Sequence, residues 1–335
     1  MKLFSEMLNE TLTLPKALRD YFPNCRVGVL DIETTGLNPN QDRVILGGLL
    51  SFDCGNTGKI LQYFSEHPSQ EEALLDAYIS EIKKCDLLIT YNGNSFDLNF
   101  LKIRWKKFGF EVPQFPYNLD LYLLIRNASD LKNRLPNLKQ KTIETHLGLS
   151  AQRSDGISGL ESIELYENYI ATGNEEAKIK ILLHNRDDVY QLYKLLEVVN
   201  VCDIEKGFHH MGFPGTTNLE ITKTKRGLHY LQIEGIQRET PVSYYSFGDF
   251  GESLQIAFDK KTKSFQILVP IFQKEGSYFL DLISLNMGEN SLTNSPSYEN
   301  GFLILEENGQ VHYKSLNEFI RLLVNKIGKE IDNIK

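Results

Sequence analysis

The sequence predicts an α/β protein: a mixed sheet flanked by helices, its first three strands antiparallel and the later ones parallel, followed by a smaller β-rich C-terminal domain. Three closely linked apolar runs between Val27 and Phe64 favour antiparallel neighbours. Strand and helix patterns then alternate as far as Asn200, which is typical of parallel strands. After about Glu205, short β-prone runs are separated by turn residues. The predicted divisions are a lead segment over 1–25, an α/β domain over 26–203 and a β-rich domain over 204–335.

Composition restricts the functional classes. The 335 residues can bury two sizeable cores. A net charge of −8 argues against a broad polyanion-binding surface, so any nucleic acid is expected to bind locally. No tract is long and apolar enough to cross a membrane, and the first residues lack the apolar centre of a signal peptide. The four cysteines form no C-x-x-C pair. We therefore expect a cytoplasmic protein with reduced thiols and no membrane association.

In chain order, the first domain begins with the strand runs VGVLDIE, RVILGGLLSF and GKILQYF. Apolar residues at helical spacing predict a helix over about 70–84, and DLLITYN predicts a buried strand. A helix over about 95–108, the run YNLDLYLLI and further helices complete this domain. Gly47 and Gly48 lie inside a strand pattern and form no dinucleotide fingerprint.

The C-terminal domain contains the β-prone runs LHYLQIEGI, SLQIAFD, SFQILVPIF, YFLDLISL and GFLILEENGQVHY. A helix over about 316–327 is expected to close it. Tyr244, Tyr245 and Phe247 have two interpretations: they stack nucleobases, or they pack into the core. A protein partner that binds through this domain is also compatible with the sequence.

Two acids, Asp31 and Glu33, end the first apolar run. Residues two apart on a strand point to the same face, so both carboxylates are expected to project together. Their repulsion requires a compensating cation or strong donors, and Mg²⁺ prefers such oxygen ligands. The competing interpretation is an exposed strand end where two acids meet water.

A third acid, Asp97, follows the strand DLLITYN. Asn92 and Asn94 suit a turn, and Ser95 is a candidate cap for the next helix. Asp97 then lies in the first helical turn, where the helix dipole favours a carboxylate, and this capping role is the alternative to a functional one. Ligands of open α/β sheets gather at such strand ends.

The stretch ILLHNRDDVYQLYKLLEVV is predicted to be one long helix. His184 and Asp188 interrupt its apolar stripe and need a partner such as a metal or another charge. A core histidine paired with an aspartate is the alternative. Asp187, rotated by about 100°, is expected to face solvent.

Together, DIE, NGNSFD and HNRDD over residues 31–188 resemble the three motifs of the DEDD superfamily of exonucleases, which has a ribonuclease H-like fold. The chain is most similar to the YprB-type branch, a similarity that KTIETHLGL and LLHNRDDVYQL extend. The resemblance implies a 3′-to-5′ exonuclease that acts on a DNA or RNA 3′ end. It implies two Mg²⁺ or Mn²⁺ ions, with the ligands Asp31, Glu33, Asp97 and Asp188.

The resemblance also assigns His184 to the site as a water-positioning base. His184 precedes Asp188 with the three-residue gap usual for tyrosine in this family, whereas the histidine version has four. Candidate substrate contacts are Thr34, Asn92 and Asn94.

Other residues and other functions have alternatives. Lys102, Arg104, Lys106 and Lys107 follow Asp97 and either contact phosphates or form a solvated helix face. Asp120 either supports the metal ligands from behind or caps a helix, and the cap is the preferred interpretation. The alternative functions are a nucleic-acid-binding or scaffold protein with an inactive domain, and an endonuclease on the same fold.

Overall fold

The structure is a computed structural model that describes residues 1–149, 157–211, 216–223, 229–237, 241–247, 253–287 and 291–334. The chain forms two compact units, Met1–Cys202 and Asp203–Lys335. Among the described residues, no helix combines the length and the apolar character needed to span a membrane.

The first unit is built on a six-stranded mixed sheet in the order β1-β4-β3-β2-β5-β6. Its strands are β1 (Lys2–Thr11), β2 (Arg26–Thr34), β3 (Val44–Asp53), β4 (Thr57–Phe64), β5 (Leu87–Thr90) and β6 (Tyr117–Asp120). Strands β1 to β4 pair antiparallel, whereas β5 and β6 continue parallel to β2. The predicted mixed sheet is therefore confirmed, with its antiparallel strands before its parallel ones.

Helices cover both faces of this sheet. They are α1 (Lys16–Arg19), α2 (Glu71–Ile82), α3 (Asp97–Lys107), α4 (Leu121–Ala128), α5 (Leu131–Arg134), α6 (Gln140–His146), α7 (Gly159–Thr172) and α8 (Glu175–Lys194). One core cluster joins residues of α2 and α3 to apolar residues of the sheet such as Leu30 and Leu49. A second cluster joins α7 and α8 to Ile45, Leu46 and Phe64.

Residues 1–25, the predicted lead segment, lie within the unit Met1–Cys202. The first half of this segment forms β1, an edge strand that pairs with β4 from Lys2 to Thr11. Leu12, Leu14 and Leu18 are buried. Most residues of this edge strand are exposed. They are therefore largely polar, and the sequence shows no continuous apolar run that would mark a strand.

The described part of the second unit carries an antiparallel sheet and the helices named below, which confirms the predicted β-rich region. Its strands are β7 (Thr216–Lys223), β8 (His229–Ile236), β9 (Tyr244–Phe247), β10 (Gln255–Asp259), β11 (Ser264–Lys274), β12 (Ser277–Asp281), β13 (Tyr298–Glu299), β14 (Phe302–Glu307) and β15 (Gln310–Val311). The helices are α9 (Ile204–Met211) and α10 (Tyr313–Ile334). Among the described residues, β9 is one edge of this sheet and pairs with β10.

Candidate active site

The site begins at the end of β2, where a buried strand delivers two acids. Val27, Val29 and Leu30 are buried and fix β2 in the centre of the sheet. Asp31 lies opposite Gly48 of β3, and Glu33 lies opposite Leu46. The period of two along a strand places both carboxylates on one face of the sheet, as the sequence predicts.

Helix α8 supplies the histidine and the second aspartate. His184 Nε2 lies 3.7 Å from Glu33 Oε1 and 3.5 Å from Asp188 Oδ2. One ligand atom from each of these three residues lies within 4.8 Å of the other two. The spacing of one helical turn puts His184 and Asp188 on one side of α8. The fold thus brings together acids that are about 150 positions apart in the chain.

Asp97 is the first residue of α3 and is buried. Its Oδ1 accepts a hydrogen bond of 3.2 Å from the backbone amide of Ile32, the residue between the two acids of β2. Burial raises the pKa of Asp97 to about 7, against the lowering effect of hydrogen bonds from its own amide and the Ile32 amide. Asp97, the acid of the second motif, therefore lies directly beside the first motif.

The acids repel one another at Asp31. Burial raises the pKa of Asp31 well above its ordinary value, and the charges of Asp188, Asp97 and Glu33 raise it further. A hydrogen bond from Asn185 opposes this rise in the pKa. A set of carboxylate oxygens with mutually unfavourable charges is the donor chemistry that suits Mg²⁺ or Mn²⁺, so these residues fit hard divalent cations.

Asn185 supports Asp31 and was not singled out from the sequence. Its Nδ2 donates to Asp31 Oδ2 at 3.0 Å and contacts the Asp31 carbonyl oxygen at 3.3 Å. Its Oδ1 accepts from Gln62 Nε2 at 3.1 Å, and the same nitrogen donates to the Leu182 carbonyl oxygen at 2.8 Å. Asn185 is fully buried. These hydrogen bonds, from Gln62 to Asn185 and from Asn185 to Asp31, fix the orientation of the Asp31 carboxylate.

Two glycines in β3 make room for this support. A Cβ at Gly48 would lie 2.1 Å from Asn185 Oδ1, and a Cβ at Gly47 would lie 2.7 Å from the Tyr78 ring. The Tyr78 hydroxyl donates to the Gly48 carbonyl oxygen at 2.7 Å. Neighbouring strand residues point to opposite faces of the sheet. Gly48 therefore leaves space for the Asn185 side chain on one face, and Gly47 leaves space for the Tyr78 ring on the other.

The family model RNase_H_2, described as RNase_H superfamily, matches residues 29–200, about half of the chain. This chain belongs to the RNase H superfamily. The match includes every acid of the site, and it confirms the ribonuclease H-like fold that the three motifs imply.

The chain is also similar to individual proteins. An uncharacterized protein of Methanocaldococcus jannaschii is 28% identical over 181 residues, which are 52% of this chain and 96% of that protein. YprB of Bacillus subtilis is 29% identical over 168 residues, 49% of this chain and 40% of YprB, which agrees with the YprB-type resemblance. The solved family B DNA polymerase of Pyrobaculum calidifontis aligns with 17% identity and a TM-score of 0.41. That alignment covers 67% of this chain and 33% of the polymerase chain.

In this RNase H-superfamily domain, Asp120 organises the loop before Asp97. Its side chain caps α4 by accepting from the Tyr122 and Leu123 amides, which confirms the cap interpretation. It also accepts from the Asn92 amide at 2.8 Å and the Asn94 amide at 3.1 Å. These hydrogen bonds join the end of β6 to the loop that follows β5, beside the site.

The candidate substrate contacts have these surroundings. Asn94 Oδ1 accepts from Asn118 Nδ2 at 3.1 Å, and Asn92 adopts a positive φ of 62°. The Thr34 hydroxyl donates to the Gly36 carbonyl oxygen at 2.6 Å and closes the turn after β2. Ser95 is not the cap of α3, because the helix begins at Asp97 with Phe96 as its N-cap residue and no capping side chain.

Two charged residues differ from the sequence expectations. Asp187 is buried rather than solvent-facing, with its Oδ1 3.2 Å from Arg186 Nη1. Arg186 also pairs with Glu6 of edge strand β1. Arg104 is buried rather than solvated, and its Nε donates to Glu71 Oε1 at 2.7 Å.

Proposed function

We propose that this protein is a metal-dependent 3′-to-5′ exonuclease that hydrolyses phosphodiester bonds at single-stranded nucleic-acid ends by a two-ion mechanism. The observation that carries the proposal is the convergence of four carboxylates from β2, α3 and α8, two of which flank the buried His184. Membership of the RNase H superfamily supports a nuclease. The catalytic unit would be the α/β domain, with the β-rich domain in an accessory role.

Asp31, Glu33, Asp97 and Asp188 would hold the two Mg²⁺ or Mn²⁺ ions. Such a pair of ions supplies activation of a water molecule and stabilisation of the charge on the leaving oxygen. Four carboxylates against two divalent charges leave the site close to neutral. The site therefore retains the capacity to accept a phosphodiester anion.

The protein's own residues would position the reactants and move the proton. In the hydrolysis, the water oxygen bonds to phosphorus and the bond to the 3′ oxygen breaks, which releases a nucleoside 5′-monophosphate. His184 Nε2, which lies 3.7 Å from Glu33 Oε1 and 3.5 Å from Asp188 Oδ2, would accept the proton of the water. Asn185 holds the Asp31 carboxylate in one orientation.

The substrate strand would approach along the loop that carries Asn92 and Asn94 and the turn that begins at Thr34. Side-chain amides of such loops bind phosphate oxygens in nucleic-acid complexes. DNA and RNA are both candidate substrates, since contacts to the 2′ position distinguish them.

The test is digestion of 3′-labelled single-stranded DNA and RNA with Mn²⁺. We expect the parent protein to release the label, and we expect the Asp31→Asn and Asp188→Asn variants to lose this activity. The matched control is Asp187→Asn, the neighbouring acid of α8, which should retain activity if its melting temperature shows that it is folded.

Two results would contradict the exonuclease proposal. Cleavage of a circular single strand would identify an endonuclease, because a circle has no 3′ end. Thermal stabilisation by Mn²⁺ with no label release from either polymer would identify a binding protein whose site retains metal without turnover.

A further inference from the structure

Two aromatic rings lie exposed on the edge strand of the second unit. Tyr245 and Phe247 of β9 are 53% and 71% exposed. Their ring centroids are 6.2 Å apart and the rings are nearly parallel, at 21°. Tyr244 alternates to the opposite face and is partly buried. Core packing therefore fails to explain Tyr245 and Phe247.

The sheet face around these rings is polar. In the strand register, Tyr245 lies opposite Ala257 and Phe247 lies opposite Gln255. On the next strand, Gln266 lies opposite Ala257, and its amide donates to Glu234 Oε1 at 2.9 Å. The face thus combines two exposed π systems with side-chain amides that can donate to and accept from base edges. Protein-binding patches are typically more continuous in apolar surface.

A lysine-rich hairpin lies beside the same edge strand. Lys260, Lys261 and Lys263 occupy the turn between β10 and β11 and are exposed. The Lys260 amide donates to the Ser243 hydroxyl at 3.2 Å, immediately before β9. Within the described part of the chain, these three lysines form no ion pair. Their charge therefore lies at the end of the hairpin that contacts the start of β9.

We propose that this face binds single-stranded nucleic acid, with bases stacked on Tyr245 and Phe247 and the phosphates along the Lys260–Lys263 hairpin. Aromatic platforms flanked by cations are the chemistry by which proteins hold unpaired strands, because each base offers a π face and each linkage offers an anion. The hairpin lysines supply the positive charge that phosphates require, and the two rings supply stacking surfaces for bases. The inference goes beyond the proposed catalysis, since it uses the second unit and needs no metal.

The test measures binding without cleavage. Fluorescence anisotropy of fluorescein-labelled (dT)15 and (U)15 is recorded with the full chain carrying Asp31→Asn, in EDTA. Since stacking contributes about 1–3 kcal/mol per base, Tyr245→Ala and Phe247→Ala should each weaken binding about 5- to 150-fold. The matched control, Phe302→Ala, removes an exposed ring four strands away in the same sheet and should leave the affinity unchanged.

Salt dependence separates a nucleic-acid site from a structural role of the hairpin. Combining Lys260→Gln with Lys261→Gln should lower the slope of log affinity against log salt by up to about 1.4, because each single-strand phosphate contact contributes about 0.7. A purely structural effect would leave that slope unchanged.

Three outcomes would overturn the inference: no binding by the parent chain, unchanged affinity of both ring variants, or a parent dimer that the ring variants convert to monomer. The last outcome would assign the face to a second copy of the chain. Label release by the metal-loaded parent protein tests the exonuclease proposal separately, so either proposal can fail while the other stands.

Discussion

Truncation of Asn185 gives the sharpest test of how the acid cluster binds metal. Asn185→Ala removes the 3.0 Å hydrogen bond to Asp31 and leaves the buried amide of Gln62 with one acceptor fewer. Hydrogen bonds to charged groups contribute about 1.5–3 kcal/mol. Loss of residues that orient metal ligands costs about 10- to 100-fold in affinity or activity. We therefore expect the half-saturating Mn²⁺ concentration to rise about 10- to 100-fold.

The assay is metal-induced thermal stabilisation, which does not depend on turnover. At a Mn²⁺ concentration 100 times the parent Kd, bound metal stabilises the fold by about 2.7 kcal/mol; a 100-fold weaker Kd reduces this to about 0.4 kcal/mol. For a unit of this size, the parent melting temperature should rise by about 5–11 °C and that of the variant by about 1–2 °C. Label release measured against Mn²⁺ concentration should shift in parallel.

The matched control is Gln191→Ala, a second buried amide truncated on α8. Among the described residues, neither amide atom of Gln191 has a hydrogen-bond partner. Like Asn185→Ala, Gln191→Ala removes a buried amide side chain from α8. It takes no hydrogen bond away from a metal ligand. If Asn185→Ala and Gln191→Ala show the same Mn²⁺ midpoint, the positioning role of Asn185 is refuted.

Three further predictions follow from the structure. Gly48→Ala places a methyl group 2.1 Å from Asn185 Oδ1, so we expect a loss of stability of about 1–3 kcal/mol in urea unfolding and a raised Mn²⁺ midpoint. Because the pKa of Asp97 is about 7 in the folded chain, well above its unfolded value, metal-free protein should lose up to about 4 kcal/mol of stability as the pH rises from 4 to 7, and Asp97→Asn should flatten this pH profile. Arg104→Met leaves the buried Glu71 carboxylate without its charged partner and should cost about 3–5 kcal/mol in urea unfolding.

Each of these predictions has its own control. Gly159→Ala adds a methyl group that meets nothing within 4 Å, so its Mn²⁺ midpoint should equal that of the parent. A pH profile unchanged by Asp97→Asn would show that another group causes the acid stabilisation. If the double variant Arg104→Met, Glu71→Leu is no more stable than Arg104→Met alone, the uncompensated charge is not the cause of the loss.

Local patterns in the sequence predicted much of the fold. The close linkage of three apolar runs gave the antiparallel strands β2, β3 and β4, because a short connection can only return the chain alongside itself. In the second unit, the run SFQILVPIF corresponds to β11, and the closing helix corresponds to α10. Residues that alternate in burial along a strand leave a signal in the sequence, whereas the exposed edge strand β1 leaves almost none.

In the candidate site, too, local patterns predicted some features and missed others. The spacing within one strand and within one helix predicted that Asp31 lies beside Glu33 and that His184 lies beside Asp188, because local geometry alone places those pairs. The supporting contacts were missed. Asn185 gains its importance only when α8 packs over β3, and the partners of Asp187 and its neighbour Arg186 include a strand 180 positions away in the chain.

The sequence by itself determined the kinds of element, the order of the strands along the chain and the identity of the acids, since these depend on periodicity and on residue chemistry. Only the tertiary structure decided which polar groups are buried, which glycines make room for a neighbour and which aromatic rings stay in solvent. Those properties depend on contacts between residues far apart in the chain, such as Asp31 with Asn185. No local pattern in the sequence encodes them, because each exists only after the elements have packed.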